Sequence, residues 1–454
     1  MLDYAHMTLE QLIDPKGYDC ECGRHHSVNI KYVKIGKGAI ASLPEAMEAL
    51  GAKKPFVVCD KNTWQVAGCR VEEILRANGY ACTVYVVPEI EDRLRPGEWE
   101  LGSMVMHYDP SCDLILGVGS GVVNDLSKVL ARAVGCQSAI VGTAPSMDGY
   151  ASDSASMEVN KVKTSIYCKV PAAMIMDIDI IAQAPMNLLQ AGLGDMIAKY
   201  TALCEWRFAK LIIDEYYCEG IAELMREALR KVVDAAEKLA ERDPDAVQSV
   251  VEGLIIAGIA MAYAGSSRPA SGLEHYFSHM WEMMALEREE PYELHGIQVG
   301  CGTVLALRVL EKMRALKPTM EHAEAFLQSF DEKAWEENVR RIYGKTGEQI
   351  IKIEAKFRKN APEGHRVRMT KIIENWDLIC QIMDEELPET EKIVDLMRRI
   401  GEPVEAAEIG IGAQDVSDAF VGAREIRDKY LACSMLWDVG YNADIAQWLL
   451  ESSK

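Results

Sequence analysis

The chain has 454 residues, 49% of them hydrophobic and 26% charged, a balance that suits two or three globular domains and excludes disordered and fibrous classes. Lys+Arg 49 against Asp+Glu 70 leaves a net charge of −21. No long basic run offsets it, so nucleic acid and anionic membrane surfaces are excluded as partners.

The N-terminal stretch MLDYAHMTLEQLIDP carries acids and lacks the basic start and apolar core of a secretory signal. The longest apolar run, Leu254–Ala264, falls well short of the roughly 20 residues a bilayer requires, and it reads as a buried core helix. The expectation is a soluble, cytoplasmic protein with no membrane insertion. Thirteen cysteines agree with that: Cys59, Cys112, Cys204 and Cys301 are scattered singly, several in apolar stretches, as reduced thiols are. One cluster stands out, Cys20-Glu-Cys22-Gly-Arg-His25-His26. Its C-x-C spacing differs from the C-x₂₋₄-C of common structural zinc sites, so it reads as a local turn, with a zinc clip as the alternative.

Up to about residue 180, short β-branched runs alternate with amphipathic stretches. Strands are predicted at 31–35, 55–59, 81–87, 113–118, 138–141 and 173–177, with helices at 43–50, 63–78, 98–106 and 122–134 between them. Such alternation implies crossover connections and a mainly parallel sheet. After Pro185 the strand signals vanish. Helical stretches rich in Ala, Leu, Glu, Lys and Arg follow at 221–242, 246–264 and 297–313, and apolar spacing adds 369–383. The charged segment 318–364 is expected to be a peripheral helical insertion with a solvated face. The organisation read from this is an α/β domain over 1–183 and an all-helical domain over 184–454.

Asp113-Leu-Ile-Leu-Gly117-Val-Gly119-Ser120-Gly121-Val122-Val123-Asn-Asp125 reads as strand, glycine turn and helix start, where exposed N–H groups can meet a pyrophosphate. The G-x-G-x-x-G pattern is not completed, since its third position is Val122, and an ordinary strand-to-helix turn fits equally. Asp60, after the strand PFVVCD, is placed either to accept adenosine ribose hydroxyls or to cap the next helix. Three of only nine histidines fall close together: His275 and His279 share one helical face, and His295 follows at the start of another helix. Neutral imidazoles from neighbouring helices suit a divalent metal, and Asp195 in Ala191-Gly-Leu-Gly-Asp195 is a candidate carboxylate ligand. Capping or core roles for these residues are the alternative.

Taken in order, Gly117-Val-Gly-Ser-Gly-Val-Val-Asn-Asp125, Gly142-Thr-Ala-Pro-Ser146-Met-Asp148-Gly-Tyr-Ala-Ser152, Gly192-Leu-Gly-Asp195, Gly272-Leu-Glu-His275-x-x-x-His279 and Leu294-His295-Gly296 resemble the sn-glycerol-1-phosphate dehydrogenase family. That family lies within the iron-type alcohol dehydrogenase and dehydroquinate synthase superfamily. The chain departs at Ser120, where the family has three adjacent glycines. The resemblance implies a dehydroquinate synthase-like fold, a Rossmann-like parallel-sheet domain followed by an all-helical one. It implies NAD(P)H and one divalent metal (zinc, nickel or iron) as cofactors. It further implies reduction of dihydroxyacetone phosphate to glycerol 1-phosphate, a place in phospholipid metabolism, and a homo-oligomer such as a dimer. Asp195, His275 and His295 would hold the metal. Gly119, Ser120, Gly121, Val122, Val123, Thr143, Ala144, Pro145, Ser146 and Ser152 would line the cofactor. His279, Asp148 and Asp195 would serve the substrate, with Lys163 near its anionic group. The rival readings are a polyol dehydrogenase with the same cofactors and a dehydroquinate synthase-like cyclase.

Overall fold

The fold was described from a computed structural model covering residues 3–88, 94–160 and 162–454. Ten strands occur among them: β1 (Tyr18–Asp19), β2 (His25–His26), β3 (Tyr32–Gly36), β4 (Pro55–Cys59), β5 (Thr83–Val86), β6 (Leu114–Gly119), β7 (Gln137–Gly142), β8 (Ser154–Val159), β9 (Val162–Tyr167) and β10 (Ala173–Asp177). Six form one sheet in the order β3-β10-β7-β6-β4-β5, and every pairing in it is parallel. All six were predicted from the sequence. The β4, β6 and β10 strands are buried along nearly their whole length, which explains their continuous apolar runs. Two antiparallel hairpins, β1–β2 and β8–β9, complete the strands.

The chain divides into two compact units. The first takes residues up to Met196 together with Cys218–Ser267, and the second takes Ile197–Tyr217 with Arg268–Lys454. Strands end at Asp177, in agreement with the change in texture, but the helices Glu219–Ala235 and Pro244–Ala264 belong to the sheet-bearing unit. The end of the strands and the edge of the compact unit therefore fall at different places. Pro244–Ala264 is long and apolar enough to cross a membrane, yet 67% of its apolar window is buried in the protein, the pattern of a core helix. Cys59, Val57, Leu116 and Ile175 pack on one face of the sheet, and Phe56, Val58 and Ile115 on the other.

The second unit is helical throughout its described residues. The segment 318–364 is less peripheral than its charge suggests. Val339, Tyr343 and Ile350 enter the main core of this unit, and the Tyr343 hydroxyl donates to the Gly422 carbonyl at 2.6 Å. Its charged residues occupy the remaining faces of Glu332–Tyr343 and Gly347–Phe357, whose strong amphipathicity averages away in a composition count. The stretch 369–383 is two helices, Pro362–Glu374 and Trp376–Glu386. The break is at Asn375, whose side chain donates to the Lys371 carbonyl at 2.8 Å and competes with continued helix.

Candidate active site

The sheet order places the cofactor-binding candidates. From β4 the chain steps outward to β5, then returns to run through β6, β7 and β10 in the other direction. The reversal lies between β4 and β6. Loops leaving two such strands part, opening a crevice at their carboxyl ends, where doubly wound sheets bind ligands. Asp60 follows β4 and Ser120 follows β6, so these two candidates flank that point. One Asp60 carboxylate oxygen caps the following helix, accepting the Thr63 N–H at 2.7 Å, while Thr63 Oγ1 accepts the Asp60 N–H at 3.0 Å. The capping reading is thus realised. It engages one oxygen only.

Ser120 is the N-cap of Gly121–Val134, so the first N–H groups of that helix point out of the turn. Gly117, Gly119 and Gly121 have no positive φ. What glycine supplies here is room: a Cβ on Gly119 would lie 2.6 Å from Val123. The Thr143 N–H donates to the Gly119 carbonyl at 3.0 Å, which sets the buried loop Thr143–Ser146 beside the turn. The helix Met186–Ile197 crosses this loop closely enough that a Cβ on Gly192 would meet the Pro145 carbonyl oxygen at 1.9 Å. Three residues on, the fully buried Asp195 carboxylate accepts the Asp148 N–H at 2.7 Å.

Lys128 received no role from its motif, yet it organises the loop. Its buried ammonium pairs with Asp125 at 2.9 Å and donates to Gly149 O at 3.1 Å, Ser152 Oγ at 3.3 Å and the Ser154 carbonyl. Asn124 Nδ2 adds a bond to Gly149 O at 3.2 Å. Ser152 is therefore engaged within the loop, its hydroxyl bonded to the Gly149 and Ser154 carbonyls as well. The available signal was the (i, i+3) pair of Asp125 and Lys128 on a helix starting at the glycine turn. Lys163 lies on β9 opposite Glu158.

In the second unit the three histidines converge. His275 and His279 lie on Leu273–Arg288, and His295 opens His295–Arg314. Ring centroids are 5.4 Å apart for His275 and His295, 5.7 Å for His279 and His295, and 6.4 Å for His275 and His279. Glu274 Oε1 accepts the His275 Nδ1–H at 2.9 Å, which fixes the tautomer whose Nε2 lone pair suits a cation. Glu274 is itself held by Thr201 Oγ1 at 2.6 Å and the Gly272 N–H at 2.5 Å. His275 and these hydrogen bonds keep its carboxyl below the usual range despite burial. His295 Nδ1 lies 3.1 Å from Ser278 Oγ and 3.4 Å from a Glu282 oxygen. Burial lowers the His279 imidazole to about 3 and keeps it neutral.

Ligand atoms of His279, Glu282 and His295 all lie within 4.8 Å of one another. The imidazoles of His279 and His295 with the fully buried Glu282 carboxylate between neighbouring helices, and the tautomer-fixed His275 close by, are donors that fit one divalent ion. Sequence reasoning missed Glu274 and Glu282. Both stand next to or within one turn of a histidine.

With this geometry in view, the sequence matches the iron-containing alcohol dehydrogenase family over residues 34–185. It is 36% identical over 277 residues to a glycerol-1-phosphate dehydrogenase of Hyperthermus butylicus, covering 61% of this chain and 76% of that one. Its counterpart in Bacillus velezensis is 32% identical over 313 residues, 67% of this chain and 79% of the relative. The chain belongs to the glycerol-1-phosphate dehydrogenase family. A further family relative, from Bacillus licheniformis, is 28% identical over 93% of this chain and 92% of its own length. The fold is that of a probable glycerol dehydrogenase from Sinorhizobium meliloti (TM-score 0.61, 15% identity, 94% of this chain and 99% of that one). It is equally that of glycerol dehydrogenase from Schizosaccharomyces pombe (TM-score 0.58, 14% identity, 94% and 92%).

Proposed function

We propose that this chain reduces dihydroxyacetone phosphate to sn-glycerol 1-phosphate with NAD(P)H and one divalent metal. The observation that carries the reading is the histidine cluster, with Glu274 fixing the His275 tautomer, in a member of this family. In this reading Asp195, His275 and His295 hold the metal. Gly119–Val123 and Thr143–Ser146 line the nicotinamide cofactor, Asp60 offers its uncapped oxygen to the ribose, and Ser152 supports the loop. The donors suit zinc, nickel or ferrous iron. Seven cysteines are buried without a disulfide, which supports a reducing, cytoplasmic setting. The reading extends to a homo-oligomer working in phospholipid metabolism.

When bound, the divalent ion polarises the ketone carbonyl and the reduced nicotinamide supplies hydride. The chain does the rest. The Asp195 carboxylate holds the Asp148 N–H, which orients the Asp148 side chain toward the substrate hydroxyl. His279, kept neutral by burial, relays a proton: one ring nitrogen gives its N–H proton to the new alcohol oxygen while the other nitrogen takes one from water. The Lys163 ammonium and backbone N–H groups meet the phosphate, which the overall charge of −21 repels.

The test is NADH and NADPH oxidation with dihydroxyacetone phosphate beside dihydroxyacetone, before and after chelation and metal add-back. Chelator-sensitive turnover confined to the phosphate supports the proposal. Equal turnover on both ketones would replace it with a polyol dehydrogenase. Silence on both, with cofactor bound, would replace it with the cyclase.

A further inference from the structure

In the fold, Cys20, Cys22 and His26 are joined by Cys218 from far along the chain. β1 and β2 form a two-residue hairpin, Tyr18 opposite His26 and Asp19 opposite His25. The Cys20–Gly23 turn between them is closed by the Cys20 N–H on Arg24 O at 3.0 Å and the Gly23 N–H on Cys20 O at 2.9 Å. Alternation along β2 sends the two histidines to opposite sides. His25 faces solvent and pairs with Asp19, whereas His26 is completely buried. Beside His26 lies Cys218, buried, the N-cap of the helix Glu219–Ala235 and 192 residues away in the chain.

The ligand atoms of Cys20, Cys22, His26 and Cys218 all lie within 4.8 Å of one another. Cys20 Sγ is 3.7 Å from Cys218 Sγ, Cys22 Sγ is 3.2 Å from His26 Nε2, and Cys218 Sγ is 3.8 Å from His26 Nε2. Zinc–sulfur and zinc–nitrogen bonds of about 2.3 and 2.0–2.1 Å at tetrahedral angles give edges of about 3.8 Å between sulfurs and 3.5 Å between sulfur and nitrogen. The observed separations match those edges to within about 0.3 Å. No disulfide links any of these cysteines.

The surroundings also fit. His26 Nδ1 lies 2.9 Å from the Tyr263 carbonyl, which can only accept. Nδ1 therefore carries the proton, and Nε2 turns its lone pair to the three sulfurs, as a second shell around a metal-bound histidine does. The Tyr263 ring stacks on His26 at 5.5 Å, and the buried Tyr4 ring meets it edge-on at 6.0 Å. Arg24 donates to the Ala264 carbonyl at 3.1 Å, beside the same helix end. A two-residue hairpin has no stability of its own. A tie from it to the start of Glu219–Ala235 and the end of Pro244–Ala264 would hold it in place.

We propose that Cys20, Cys22, His26 and Cys218 form a structural Cys₃His zinc site that clips the N-terminal hairpin to these two helices. Four protein ligands close the coordination sphere, so the site holds metal without catalysing. Thiolates select zinc over magnesium, calcium or manganese. Binding releases the three thiol protons, leaving the metal with three thiolates and one neutral imidazole. The site stands apart from the dehydrogenase reading, whose donors contain no sulfur.

That difference makes the test specific. The full-length protein is loaded with cobalt(II) in place of native metal, and its absorption is recorded beside that of His275→Ala. The cobalt at the cluster should give tetrahedral visible bands and thiolate-to-cobalt charge transfer in the near ultraviolet, and that near-ultraviolet absorption should be unchanged in His275→Ala. Cys218→Ser should lose the near-ultraviolet absorption in large part, and Cys69→Ser, remote from the cluster, should retain it. Protein purified without added metal should carry one zinc that a carboxylate chelator leaves and a mercurial thiol reagent releases. Cobalt-loaded protein without sulfur charge transfer would overturn the proposal, whatever the variants do. So would a Cys20–Cys218 disulfide in metal-free protein purified from reducing cells.

Discussion

The Asp148 backbone N–H donates to the buried Asp195 carboxylate at 2.7 Å. One residue proposed to hold the metal thus also holds the loop proposed to hold the substrate. Asp195→Asn keeps an acceptor oxygen for that N–H and removes the charge. We expect Asp195→Asn to remain folded by circular dichroism while losing stoichiometric metal and turnover together. Asp195→Ala should lose both and loosen the loop as well. Turnover retained in either variant would remove Asp195 from the metal site.

Gly192 tests the cofactor loop from the other side. A Cβ there would stand 1.9 Å from the Pro145 carbonyl oxygen, and backbone cannot swing away as a flexible side chain does. Gly192→Ala must therefore push Thr143–Ser146 off the glycine turn. The expected cost is about 1–3 kcal/mol of stability in urea unfolding, typical of overpacking. KM for the nicotinamide cofactor should rise while KM for the ketone changes less. An unchanged cofactor KM with the stability loss present would take this loop out of the cofactor site.

Periodicity made the parallel sheet legible because β4, β6 and β10 are buried on both faces and carry unbroken apolar runs. The histidine cluster was legible because His275 and His279 are one helical turn apart and His295 opens the next helix. What escaped depends on tertiary pairing. Lys128, Glu274 and Glu282 look like surface charges in the sequence, and only their enclosed partners show otherwise. Cys218 has no local signal linking it to Cys20 and Cys22, because its neighbours are supplied by a hairpin 192 residues earlier. The β1–β2 hairpin is too short to give a pattern, and β8 begins Ser-Ala-Ser, with little β-branched character. Asn375 was visible, but a capping side chain inside an apolar repeat does not announce whether it breaks the helix.

Glu274 carries a further prediction. Its carboxylate takes the His275 Nδ1–H, the Thr201 hydroxyl and the Gly272 N–H. Glu274→Gln keeps the shape but weakens the acceptor that orients His275. Loss of such a partner typically lowers metal affinity about 10–100-fold. Competition with a chromophoric chelator should show that drop, and excess metal should restore most turnover. Wild-type affinity in Glu274→Gln would mean that the His275 tautomer is set elsewhere.

Lys429 gives a pH dependence with a definite sign. Burial, reinforced by Arg268 and Arg427, lowers its ammonium to about 7, against the pull of Glu274 and Glu215. It donates to the Ser271 carbonyl at 2.8 Å, and its Nζ lies 5.7 Å from the Tyr276 ring centre. An ordinary lysine titrates near 10.4, so between about 7 and 10.4 the unfolded chain binds a proton that the folded chain has released. The destabilisation from this group is complete below pH 7 and fades as pH rises toward 10. Lys429→Met abolishes the titration and leaves a pH-independent packing change. The stability of Lys429→Met relative to wild type, measured by urea unfolding, should therefore be most favourable near about pH 6 and decline steadily to about pH 9. A difference that is flat over that range would show that the folded protein does not lower the Lys429 pKa, since an ordinary or raised lysine stays charged in both states up to about pH 9.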